Sequence, residues 1–186
     1  MDAKINIAKI LKDKPQGTKL WTDMFGSVTL YIVTDVCDAF QVKHHNKEPW
    51  FDKDGKLCKE GVLCIYPSKS MRDWEKFAWK KGDVLVHKDG TVHIIFEGFE
   101  DDTYRTFKGK YYLWEDNDHI EQFDDHVHCM ETSVFIKAND DAQTYINTIE
   151  ERLGGKLNMD TLEIESVQPE FKDGDIVYAE SICNNR

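Results

Sequence analysis

Long apolar runs are missing from this chain. Nothing approaches the roughly 18 to 20 consecutive apolar residues of a membrane-spanning helix, and Met1 is followed by Asp2, Lys4 and Asn6 rather than by an apolar signal core. The expectation is a cytoplasmic protein with no membrane partner. Paired cysteines are missing as well. The five cysteines (Cys37, Cys58, Cys64, Cys129, Cys183) are odd in number, irregularly spaced and without a Cys-x-x-Cys pair, which excludes a written disulfide framework or zinc knuckle. The sequence also lacks a Gly-rich phosphate loop, a nucleophile elbow and His-Glu-x-x-His. It therefore reads as non-enzymatic, with no cofactor.

What is present suffices for a core: 40% of the 186 residues are hydrophobic and 12% aromatic, against a charged fraction of 32%. The net charge of −11 is unevenly spread. Residues 1–114 hold 19 Lys+Arg against 17 Asp+Glu, and residues 115–186 hold 5 against 18, so +2 and −13 make up the total. Repulsion bars a phosphate-binding surface from the acidic third. Nucleic acid has a route only through the neutral N-terminal half.

Local patterns point to a mainly β chain. Asn6 caps a short helix over Asn6–Lys12, with Ile7, Ile10 and Leu11 on one face and Pro15-Gln-Gly17 as its stop. Short β-favouring runs follow at Lys19–Trp21, Ser27–Val33, Phe40–His44, Trp50–Phe51 and Val62–Tyr66, with Asp54-Gly55 as a hairpin signal. Ser70 to Phe77 reads as a capped helical turn, Asp73 standing three residues after Ser70, that hinges to a second strand series. That series comprises Asp83–His87, Thr91–Phe96, Tyr104–Phe107, Lys110–Trp114 and His126–Cys129, with Asp89-Gly90 and Lys108-Gly109 at tight turns. Val134–Ile136 is a strand, Asp140–Leu153 an amphipathic helix capped by Asp140 with Gln143 and closed by Gly154-Gly155, and Thr161–Val167 a strand; together they suit an open sheet edge.

One near-repeat stands out. Phe77 through Lys81-Gly82-Asp83 to Val86 matches Phe171-Lys172 through Gly174-Asp175 to Val177, an aromatic and a lysine leading into Gly-Asp and then a β-branched strand. Such openings are frequent in small barrels, because the glycine permits a tight entry and the aspartate can accept from neighbouring backbone N–H groups. The fold expected is β-rich α+β. Tandem small Src-homology-like β-barrels occupy residues 1–70, after the N-terminal helix, and 71–130, and residues 131–186 form a strand-helix-strand appendage with a final strand at Lys172.

Candidate chemistry is sparse. His126 and His128 share one side of a strand with Asp124 and could chelate a metal, but a polar strand edge in an acidic segment gives the same letters, and no metal site is assigned. Asp52-x-Asp54-Gly55 lacks the downstream ligands of a calcium loop, and Glu100-Asp101-Asp102 reads as a solvated turn. The best binding surface is Lys69, Arg72, Lys76, Lys80 and Lys81 interleaved with Trp74 and Trp79, with Tyr104, Arg105 and Phe107 beside them. Basic groups among stacking rings suit single-stranded nucleic acid or an acidic peptide; the same pattern also arises from core tryptophans among solubilising lysines.

Several stretches carry a resemblance: Ile5-Asn-Ile-Ala-Lys-Ile-Leu-Lys-Asp13, Gly17-Thr-Lys-Leu-Trp21 and Phe25-Gly26, then Tyr66-Pro-Ser-Lys69 and Arg72-Asp-Trp74-x-Lys76-Phe77. Together they resemble a family of uncharacterised proteins of gut bacteria and their phages. The likeness covers about the first half, and the tail through Leu157-Asn158 and Thr161-Leu162-Glu163 is similar to a second module of that family, with Leu157 or Met159 where members often carry an aromatic. It implies a mobile-element or phage-related origin and no catalytic residue. The expected function is a binding or scaffold protein with a protein partner. The alternatives are an acidic inhibitor of a host nucleic-acid-binding protein and a metal-dependent enzyme using His126 and His128.

Overall fold

The computed structural model of the chain describes residues 5–35, 37–57, 61–115 and 119–166, and for 112–129 the backbone alone. Helix α1 (Ile7–Lys12) begins as expected, Asn6 Oδ1 accepting from Lys9 N at 3.0 Å, and buries Ile7, Ala8 and Leu11. It caps the inner face of a five-stranded antiparallel sheet built from β1 (Lys19–Thr22), β2 (Gly26–Thr34), β3 (Ala39–Lys43), β4 (Trp50–Phe51) and β5 (Ile65–Tyr66), in the order β4-β3-β2-β1-β5. Alternation sends Leu20, Val28, Leu30, Phe40, Val42, Phe51 and Ile65 into the core with the helix. Among the described residues, the segments next to the outer strands β4 and β5 meet at an isolated bridge between Lys56 and Leu63. No ladder among the described residues closes this sheet into a barrel.

Asp54-Gly55 does not make the expected hairpin. A type I′ turn needs positive φ at both central residues, whereas Gly55 has φ 72° and Asp54 is not in that region. Gly55 N donates to Asp52 O, and Asp52 Oδ1 accepts from Asp54 N and Lys56 N. This is an Asx-supported turn between strands that lie on opposite sheet edges.

Helix α2 (Trp74–Phe77) is capped by Asp73, which accepts from Glu75 N and Lys76 N, and not by Ser70. Instead of a hinge it is a buried connector: Trp74 and Phe77 belong to the first core, and Trp79, two residues on, to the second. Phe99 packs against both cores, stacking on Phe77 and on Trp79.

The second sheet comprises β6 (Val84–His87), β7 (His93–Phe99), β8 (Thr106–Glu115), β9 (His119–Glu131) and β10 (Phe135–Lys137), in the order β10-β6-β7-β8-β9. Entry to β6 follows the Gly-Asp logic: Gly82 takes φ 89°, and Asp83 Oδ2 accepts from Lys80 N at 2.9 Å. The matching segment around Lys172 lies outside the described residues. Lys108-Gly109 is not a turn; it lies inside β8, beside register shifts against both neighbouring strands. A Cβ on Gly109 would stand 2.5 Å from Ile95 O, so glycine there permits close strand approach. β10 joins this sheet through β6, carrying it past residue 130 to residue 137.

Helix α3 (Ala142–Leu153) ends on Gly154 at φ 65°. Its N-cap is Asp141, without a capping side-chain bond, rather than Asp140; Asp141 Oδ2 meets His93 Nε2 at 2.9 Å instead. With the hairpin β11 (Gly155–Asn158) and β12 (Glu163–Ser166), α3 lies on the second sheet's face. Ile95 points to Ile149, Leu157 and Leu162, while its neighbours Ile94 and Phe96 point to the opposite core. Thus the molecule is mainly β in three sheets, and its C-terminal α/β part covers a face where an edge was expected.

Candidate binding sites

The ten residues of the predicted surface do not converge. Trp74, Trp79 and Tyr104 are only 3, 4 and 8% exposed, committed to edge-to-face packing with Phe77, Phe96, Phe99 and Phe107. They are core, and a nucleic-acid base cannot stack on them. Burial of the Tyr104 ring, with Asp101 and Asp102 nearby, pushes its phenol up to about 12, and its O–H donates to Lys19 O at 3.0 Å. Lys76 bends inward to donate to Thr132 O, and burial lowers its pKa. Arg105 lies apart from the lysines, at a polar recess with Ser70, Thr103, Glu131 and Ser133.

The remaining cations separate onto two places. On the outer face of the first sheet, Trp21 of β1 and Tyr66 of β5 are direct cross-strand partners. Arg72 lies 3.8 Å over the Tyr66 ring and pairs with Asp23 at 3.1 Å, while Lys69 lies 5.6 Å from Trp21 with no carboxylate partner among the described residues. Farther along the same face, Lys43 covers Tyr31 at 3.7 Å, and Ile32, Gln41 and Trp50 form a cross-strand row in which Ile32 is 49% and Trp50 46% exposed. Trp21 and Tyr66 were not among the predicted residues. The alternation of Lys19-Leu-Trp-Thr22 does separate Trp21 from the buried Leu20 and Thr22, but its pairing with Tyr66 exists only in the folded register.

Lys80 and Lys81 lie elsewhere, in a cleft of about 450 Å³ between α1 and the α2–β6 connection, lined by Lys9, Ile10, Asp13, Lys14, Ala78 and Trp79 besides. Lys80 pairs with Asp13 at 2.5 Å, which lowers the Asp13 carboxyl and raises the lysine. Lys81 donates to Asp160 O. Lys14, half-buried over the Phe77 ring at 4.5 Å, is held below its ordinary pKa first by burial and then by Lys80.

Among the described residues no cluster of His, Cys, Asp or Glu could hold a metal; the side chains of Asp124, His126 and His128 lie outside them. No described helix is long and apolar enough to cross a membrane. Comparison of the chain with protein-family models, with curated proteins and with solved structures finds no match.

Proposed function

We propose that this chain is a non-enzymatic, cytoplasmic binding or scaffold protein of mobile-element or phage origin, built on two barrel-like units, and that it docks a protein partner on the outer face of the first sheet. The observation that carries the reading is the row of part-exposed Trp21 and Tyr66 with Arg72 and Lys69 laid over their rings, continued by exposed Ile32 and Trp50. Trp, Tyr and Arg are the residues that dominate binding energy at protein interfaces, because they bury large areas and keep a polar handle. Three of the cations, Lys19, Lys43 and Arg72, already have carboxylate partners in Asp102, Glu48 and Asp23. That near-neutral balance suits a protein surface better than a phosphate backbone.

The test is quantitative capture from host lysate by the native chain and by Trp21→Ala/Arg72→Ala. The reading predicts a protein retained by the first and lost about tenfold or more by the second, since hot-spot truncations cost about 2 kcal/mol or more. Identical protein sets on both, or retention of nucleic acid alone, contradicts it.

A further inference from the structure

We infer that the cleft between α1 and the α2–β6 connection is a second, separate binding site, and that its ligand is an acidic peptide segment with one apolar side chain between its carboxylates. Four lysines and a single aspartate line the cleft, a formal +3 on a chain whose total is −11. Concentrating one sign of charge in a concave, partly desolvated place focuses the field on an anion.

Only part of that charge is satisfied within the molecule. Asp13 takes Lys80, and a backbone carbonyl takes Lys81. Lys9 and Lys14 make no ion pair among the described residues, and Lys14 carries its ammonium into a half-buried position over the Phe77 ring, with Asp13 and Asp83 attracting it only from beyond pairing distance. A cation drawn out of water and left unpaired is costly. An incoming carboxylate would relieve that cost, and its field would restore the proton affinity that burial takes from Lys14.

The rest of the lining selects the kind of anion. Ile10, Ala78 and Trp79 add apolar surface to the same lining as the lysines, suited to an aliphatic side chain. Base stacking is not on offer, because the Trp79 ring is packed among Phe96, Phe99 and Phe107, and single-stranded nucleic acid depends on open aromatic faces. The volume, about 450 Å³, is at the low end for ligand clefts. It accommodates a few side chains of an extended segment.

The experiment is fluorescence anisotropy of a labelled peptide, Glu-Glu-Leu-Glu-Glu, titrated with the full chain, beside the same peptide with Ser for Leu and a single-stranded oligothymidine of equal charge. Saturable binding is expected that weakens about tenfold or more in 0.5 M salt, in Lys14→Met and in Lys9→Glu. It should weaken severalfold on replacing Leu by Ser, and stay unchanged in Lys88→Glu and in Trp21→Ala/Arg72→Ala. Lys14→Met keeps the stem over Phe77, and the exposed Lys9→Glu serves if that variant fails to fold. Absence of saturable binding, equal affinity in Lys9→Glu, or tighter binding of the oligothymidine than of the peptide overturns the inference. The sheet-face variant reads the two sites separately, so either can fail alone.

Discussion

Tyr104 takes φ 56°, a left-handed backbone that bulky residues rarely adopt, and three contacts hold it there. Its ring meets Phe77 at 4.9 Å and Phe99 at 5.3 Å, and its hydroxyl reaches across to Lys19 O in the first sheet. A residue from the loop between β7 and β8 thereby locks onto β1. Tyr104→Phe keeps the ring and strands the Lys19 carbonyl, so it should cost about 1 kcal/mol in denaturant unfolding. The pH dependence has a definite sign. The unfolded phenol titrates at 10.0 and the folded one at about 12, so the unfolded state sheds its proton first. This group leaves stability untouched below about pH 10 and removes it progressively as pH rises toward about 12. Ultraviolet titration should show a tyrosine ionising well above pH 10 that is lost in Tyr104→Phe; the absence of such a late step contradicts the placement.

Among the elements, the short helix α1, the turn at Asp89-Gly90 and the body of α3 were legible because each is written locally, by a cap, a positive-φ glycine or a 3.6-residue period. Lys108-Gly109 misleads for a physical reason: a glycine inside a strand has the letters of a turn, and only the neighbouring strand reveals why the Cβ must be absent. Gly109→Ala should therefore destabilise the chain by about 1–3 kcal/mol, a larger loss than at solvent-facing Gly98, where a Cβ meets nothing within 4 Å. The anchoring of α3 rests on Ile149, fully buried against Ile95, Leu157 and Leu162. Ile149→Ala should cost about 2–5 kcal/mol and raise amide exchange through 142–166 before the two larger sheets open. The binding residues were the least legible part. Lysines and tryptophans alternate from Lys69 to Lys81, but the tryptophans serve two cores, and the true neighbours of Lys69 and Arg72 are rings on β1 and β5.

Across the whole molecule, both candidate sites fall within the first 81 residues, in the half whose charge is near zero. Exposed Glu151, Glu163 and Glu165 mark the acidic remainder along α3 and β12. The two surfaces should respond differently to ionic strength: the cleft holds four lysines against one aspartate, whereas on the sheet face Lys19, Lys43 and Arg72 are each paired with a carboxylate. Binding at the face should change little between 0.05 and 0.5 M salt, because screening acts on net charge and not on buried apolar area. The most direct measurement is hydrogen exchange of the full chain, alone and saturated with its captured protein partner. The docking account predicts slowed exchange in Lys19–Thr22 and Ile65–Arg72, with 142–153 unchanged. Slowing confined to α3 and β12, or absent from β1 and β5, would contradict it.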